Sequence, residues 1–340
     1  MSLTYREIQD TYPSLEKTAA LVEASPGLSG IFEQKTVAFI GCGSSYAIAK
    51  SLALISSIRF KCPTLAIAAG DLLLHADRYA PLLEQSALVA ISRSGSTSEL
   101  LMAVDELAER KCSFQLISLC CVESSPLSQK SQFSLEMPWA FDESVCQTRC
   151  VTNLYFAGAL LIAGAGDDRM MAEDLKRTVA GGNAYMASIE PLLKKVALED
   201  WDNAVVLADA EIGGLAEEGA LAYKEICQLP SNYYHLLDAR HGPMVLFGPK
   251  TLAVIGLSSG NKRELDMVQD VARKGARVIM YSDISLEVEG VLNISFGQKL
   301  THAARGIPFI LINQLLSFYK AASTGVDPDA PTGLRAWIKI

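Results

Sequence analysis

The chain has 340 residues, half of them hydrophobic and 20% charged, which excludes intrinsic disorder and leads us to expect one or two domains of roughly 150 residues. Thirty Lys and Arg stand against 38 Asp and Glu, and the net charge of −8 argues against a nucleic-acid-binding surface, so a small anion would need a local site. Eight cysteines include the neighbours Cys120 and Cys121 but no C-x-x-C spacing, a pattern that suits a reducing cytoplasm rather than a disulfide framework or a zinc site.

From Tyr5 to Glu23, apolar residues recur every three or four positions (Ile8, Tyr12, Leu15, Ala19, Val22), which predicts an amphipathic helix. Thr36–Ile40 is a short apolar run that ends in Gly41-Cys42-Gly43-Ser44-Ser45, and a helical stretch follows from Tyr46 to about Ile58. The unit then recurs. Leu65–Ala69, Ala87–Ile91 and Phe114–Leu119 read as strands, with a helix over Ser98–Arg110. Short apolar strands alternating with helices predict a parallel sheet covered on both faces.

The second half repeats the plan, with strands at Ala204–Ala208, Thr251–Leu257 and Arg277–Tyr281. Helices are predicted at Ala216–Ile226, Glu264–Lys274 and Pro308–Ala322, after a linking helix over Met171–Lys195. The Gly- and Asp-rich Gly164–Asp168 is the expected hinge, which divides the chain into residues 1–165 and 166–340. The apolar runs at Leu154–Ala165 and Ile307–Phe318 are shorter than the ~20 residues of a membrane span. Neither a membrane nor an export role is expected.

Ligands of open α/β sheets sit beyond the carboxyl ends of the strands, so the loops after the apolar runs come first. Gly41–Ser45 sets two glycines and two hydroxyls at a helix N-terminus, and Ser92-Arg93-Ser94-Gly95-Ser96-Thr97 adds four hydroxyls and a guanidinium before a second helix. Each loop alone is equally an ordinary cap and turn. Two in successive units point to a phosphate cradle.

Gly41–Tyr46 and Ser92–Thr97 resemble the C-G-T-S and S-x-S-G-x-T loops of sugar isomerase (SIS) domains, most of all the isomerase half of glucosamine-6-phosphate synthase. Four further stretches are similar to that family: the opening Tyr5–Gln9 with Pro13, Glu143–Arg149 (E-x-V-A-x-T-[KR]), Glu218–Glu225 (E-G-A-L-x-x-K-E) and Arg240–Pro243 (H-G-P). The resemblance implies two tandem three-layer αβα SIS domains and a homodimer that binds a sugar phosphate. It places Gly43, Ser44, Ser45, Ser92, Arg93, Ser94 and Thr97 at the phosphate, with Val145 and Gln147 near the sugar. It makes Glu225 the base that moves a proton between C1 and C2, and His241, reaching from the neighbouring subunit, the residue that assists ring opening. No metal or cofactor is implied, and four histidines make a metal cluster improbable.

Aldose–ketose interconversion through an enediol needs a carboxylate near C1–C2 and a second proton-shuttling group, and Glu225 and His241 are suitable types. Ala222 and Ala336, however, stand where the family carries lysines. The opening helix begins at the fifth residue, so no glutaminase domain is expected before it. In the second half, Asp209 and Glu211 would repel an anion, which leaves one phosphate site, in the first. A phosphosugar isomerase is the leading reading. A deglycase or deaminase that removes an amine from a 6-phosphosugar and a non-catalytic phosphosugar-binding protein remain open.

Overall fold

The alternation of apolar runs and helical repeats becomes two separate five-stranded parallel sheets in a computed structural model that describes residues 2–25, 30, 32–60 and 62–335. One unit comprises chiefly Gln9–Glu143 and Gln147–Lys176; the other comprises the segment ending at Ile8, Ser144–Cys146 and Arg177–Leu334. The α/β class with two αβα units is as expected. The opening helix is not: it is two helices, α1 (Leu3–Gln9) and α2 (Thr11–Glu23), broken at Asp10. Pro13 accounts for the break, because it has no N–H for the Gln9 carbonyl and fits only in a first turn.

In the first unit β1 (Thr36–Gly41) leads to α3 (Ser44–Arg59) and β2 (Thr64–Ala68), then to α4 (Ala69–Leu74), α5 (Ala76–Leu83) and β3 (Ser86–Ser92). There follow α6 (Ser98–Glu109), β4 (Phe114–Cys120), α7 (Pro126–Lys130), β5 (Phe133–Glu136) and α8 (Arg149–Ala165). The order is β2-β1-β3-β4-β5, all parallel. Central strands β1 and β3 are buried at every position, which is why they read as unbroken apolar runs. Ile40 and Leu88 on the sheet pack into one core with Leu100, Ala103 and Leu107 of α6, each large aliphatic side chain contributing about 1.5–3 kcal/mol.

The helix α9 (Arg169–Ala197) runs from one unit into the other. The second unit then forms β6 (Asn203–Leu207), α10 (Gly213–Ile226), β7 (Ser231–Tyr234) and β8 (Thr251–Gly256). It closes with α11 (Lys262–Arg273), β9 (Arg277–Ser282), β10 (Leu292–Ser295) and α12 (His302–Thr324). Its order, β10-β9-β8-β6-β7, is that of the first sheet read from the other edge. Leu207, Ile255 and Met280 of this sheet pack against Met267, Val268 and Val271 of α11. Strands β5, β7 and β10, which the apolar pattern does not reveal, have four residues each, lie at sheet edges and are only partly buried. An edge strand has one paired side and tolerates polar residues, so it carries little sequence signal.

In each unit the first strand pairs with the third: Thr36↔Ser86 through Ile40↔Ala90, and Asn203↔Thr251 through Leu207↔Ile255. The loops leaving these strands therefore emerge side by side where the strand order reverses, the usual ligand position in such sheets. Among the described residues no helix is long and apolar enough to cross a membrane, and all eight cysteines are free thiols.

Candidate functional site

The loop from β1 to α3 is shaped by its glycines. A Cβ on Gly41 would lie 2.7 Å from the Ser45 backbone, and Gly43, the N-cap of α3, has φ +52°. Such a backbone is open to glycine at little cost and strained for other residues. No side chain caps α3 from its N-cap position. Ser44 and Ser45 in its first turn are 3% and 4% exposed, and among the described residues their hydroxyls make no side-chain hydrogen bond. Hydroxyls at a helix N-terminus are donors available to an anion. Burial pushes the neighbouring Cys42 thiol up to about 11, with the Glu99 carboxylate adding to the shift, so Cys42 is neutral at pH 7.

The loop from β3 to α6 stands beside it. Ser92 Oγ lies 3.0 Å from Thr97 Oγ1 and accepts the Gly95 N–H at 3.1 Å, while Ser94 Oγ accepts the Ser96 N–H at 3.1 Å. Gly95 has φ +60°, and a Cβ there would sit 2.1 Å from Ser125 Oγ. Thr97 is the N-cap of α6 and makes no side-chain cap bond. Adjacent strand ends thus bring together Ser44, Ser45, Ser92, Ser94 and Thr97, with Gly43 exposed at the rim. Arg93 is 4% exposed, its guanidinium carbon lies 5.9 Å over the Phe141 ring, and its carbonyl accepts the Cys121 N–H.

A third helix N-terminus in this unit is already taken. Asp142, fully buried, accepts the N–H groups of Thr148 at 2.8 Å and Cys150 at 2.9 Å, capping α8 from outside. Burial raises its pKa, opposed by those amides and by Arg149, whose Nε is 3.5 Å away. Gln147 Oε1 accepts from Cys150 Sγ at 3.1 Å. Val145 belongs to the other unit, where its N–H donates to the Asp329 carbonyl at 3.0 Å.

The second unit fills its own switch point with carboxylates. Glu264 accepts the N–H groups of Ser258 (2.8 Å), Ser259 (3.0 Å) and Asn261 (3.1 Å) and the Ser259 hydroxyl (3.0 Å). Burial alone would raise its pKa, but these hydrogen bonds outweigh it, and the carboxyl sits below the usual glutamate value. Arg305 donates to the Ser258 carbonyl and pairs with Asp283 at 2.9 Å. Glu211 is buried, 3.6 Å from His302 Nδ1, and Asp209 is 2.9 Å from His235 Nδ1. The expectation of carboxylates here named Asp209 and Glu211; Glu264 is the one lying in the amides, and the Asn261-x-x-Glu264 spacing of a capping box is the sequence signal for it. Glu225 is half-buried in the last turn of α10, His241 is exposed after a 3-10 turn, and Ala222 is buried. Ala336 lies outside the described residues.

Comparison with known proteins adds to this geometry. A model of the SIS domain matches residues 30–164. The glutamine–fructose-6-phosphate aminotransferase (isomerizing) of Methanothermobacter thermautotrophicus is 25% identical over 353 residues, covering 98% of this chain and 55% of that protein. The chain spans about half the length of the curated relatives it matches. Among solved structures, glucosamine-6-phosphate deaminase from Thermotoga maritima is 25% identical with a TM-score of 0.83, covering 100% of both chains. Tagatose-6-phosphate ketose/aldose isomerase from Escherichia coli shares the fold, with a TM-score of 0.84 at 21% identity, covering 100% of this chain and 96% of that one. Residues 30–164 thus match a SIS domain, the second unit repeats the sheet order of the first, and the chain along its whole length is similar to a glucosamine-6-phosphate deaminase.

Proposed function

We propose that this protein is a phosphosugar aldose–ketose isomerase that moves a proton between C1 and C2 of a sugar or amino-sugar phosphate. The observation that supports it is the pair of adjacent helix N-termini without side-chain caps, lined by the hydroxyls of the buried residues Ser44, Ser45 and Ser92. Such a cradle offers neutral donors to a phosphate and leaves the sugar for other residues to handle. Phosphate contacts are assigned to Gly43, Ser44, Ser45, Ser92, Ser94 and Thr97. Arg93, included by the family resemblance, is assigned to the phosphate as well, its guanidinium carbon lying 5.9 Å over the Phe141 ring. Val145 and Gln147 are assigned to the sugar.

Glu225 is the proposed base. It takes the proton from C2 of the open-chain aldose as O1 gains a proton, giving an enediol, and returns it to C1 as the O2 hydroxyl gives up its proton to form the C2 carbonyl. His241 is proposed to assist ring opening by exchanging a proton with the ring oxygen, and a positioned general base of this kind contributes roughly 10²–10⁴ in rate. Replacing Glu225 by Gln keeps the size of the side chain and removes the base, so turnover of a sugar phosphate should fall by about that factor with little change in affinity. Solvent deuterium should enter C1 or C2 during wild-type turnover. Unchanged turnover in Glu225→Gln would sink the assignment and favour a binding protein.

The likeness to a deaminase along the whole chain favours a second reading, release of an amine from C1 or C2 through an enolamine. Ammonia release from an amino-sugar phosphate, set against aldose–ketose interconversion, separates the two. We further infer a cytoplasmic homodimer. Val245, 87% exposed, and Leu246 form an apolar surface close in sequence to His241, and light scattering should report a dimer or larger even assembly.

A further inference from the structure

Glu7 has no place in the proposed chemistry, yet it is a buried carboxylate, 4% exposed, on the short helix α1. Its Oε1 accepts the Ser144 N–H at 3.1 Å and its Oε2 accepts the Ser144 hydroxyl. Ser144 Oγ also reaches the Cys146 carbonyl at 2.9 Å, across Val145. The Val145 N–H donates to the Asp329 carbonyl, and the Asp329 carboxylate in turn caps α1 through Leu3 N and Thr4 N, both at 2.8 Å. The hydrogen bonds thus close a ring: Glu7, Ser144, Val145, Asp329 and back to α1. On another side of the helix, Tyr5 donates to Glu190 at 2.6 Å and stacks on Phe318 with ring centroids 5.1 Å apart.

A buried carboxylate is costly unless hydrogen-bonded, and here both oxygens are turned to one residue of one loop. That residue adjoins Val145, which the function proposed above assigns to the sugar. We propose that Glu7 is a positioning residue for sugar recognition: gripping Ser144 at both N–H and hydroxyl, it fixes the Val145 backbone, and the ring through Asp329 makes the two ends of the described chain part of that support. The inference rests on the phosphosugar reading, and the experiments below separate their failures.

Glu7→Gln keeps the shape and removes the charge, so one of the two Ser144 donors loses its carboxylate partner. Hydrogen exchange at Ser144–Cys146 reads the loop directly and requires no substrate. Exchange should quicken roughly ten- to hundredfold in Glu7→Gln, while the amides of β1 and β3 keep their protection. Equal exchange in variant and wild type overturns the clamp, whatever the protein binds. Affinity for sugar phosphate should fall roughly tenfold or more, while affinity for inorganic phosphate stays within about twofold, a split that general destabilisation would not give. Parallel loss of both ligands overturns the positioning role. Ser144→Ala removes the hydroxyl from the opposite end and should give the same split; it decides the question alone should Glu7→Gln not fold. A wild-type protein that binds inorganic phosphate but no sugar phosphate would remove the functional reading and the positioning role together, and leave the exchange result standing.

Discussion

The two sheets have the same strand order, the same direction throughout and the same pairing of first with third strand, yet their switch points are in opposite states. In the first, Ser44 and Ser45, buried residues whose hydroxyls make no side-chain hydrogen bond among the described residues, line a cradle without a carboxylate at its N-caps. In the second, Glu264 takes three backbone N–H groups and a hydroxyl, while Arg305 and His302, facing Asp283 and Glu211, hold the Ser258 carbonyl. One backbone plan makes an anion-binding nest, and side chains decide whether the anion comes from solution or from the chain itself. Asp142 teaches the same within the first unit, where it holds the N-terminus of α8 while α3 and α6 stay open.

If that contrast is right, it can be moved from one unit to the other. The largest effect should come from Ser94→Asp, which installs in the first loop the kind of charge the second contains. Two unit charges 4 Å apart repel by about 4 kcal/mol at an effective dielectric near 20, so phosphate and sugar-phosphate affinity should fall on the order of 10²–10³-fold. Calorimetric titration checks it, and undiminished affinity would place the phosphate elsewhere.

The reverse change is Glu264→Ala. Losing a charged acceptor with four donors should destabilise the protein by about 2–3 kcal/mol, and inorganic phosphate should then raise the variant's Tm more than the wild type's by occupying the vacated amides. Equal phosphate-induced shifts would mean that the nest has no use for a free anion.

The smallest effect is a difference in acid response. Glu264 has a folded pKa below the ordinary 4.5, so its stabilisation is present above that value and lost as pH falls through the folded one. Asp142 has a raised folded pKa, so its contribution has the opposite sign: it is present below the ordinary 3.8 and lost as pH rises through the folded value. Between pH 6 and 3, hydrogen-exchange protection factors should drop first at the start of α11 and last at the start of α8. Simultaneous loss would contradict the distinction between the two caps.

Much of this was legible in the chain itself. The buried strands β1, β3, β4, β6, β8 and β9 announce themselves as apolar runs, because a strand covered on both faces must be apolar along its whole length. The glycine and serine loops at Gly41–Ser45 and Ser92–Thr97 are equally plain, since a backbone at positive φ and a helix start favour few residue types. The helix α12 was harder. It begins at His302, well before Pro308, where His302 and Arg305 are anchored on the Ser258 carbonyl.

What the sequence determined by itself is therefore the local part: two α/β repeats, their inner strands and the hydroxyl-rich junctions of the first. Only the tertiary structure decided the stacking of Arg93 on Phe141, the edge strands, the Glu264 plug and the grip of Glu7 on Ser144. Periodicity and turn chemistry are set by neighbours along the chain and can be read there. A carboxylate's partner is chosen by folding: Glu7 and Ser144 stand 137 positions apart, and Arg305 and Ser258 stand 47 apart, distances over which the pattern of residues carries no trace of the contact.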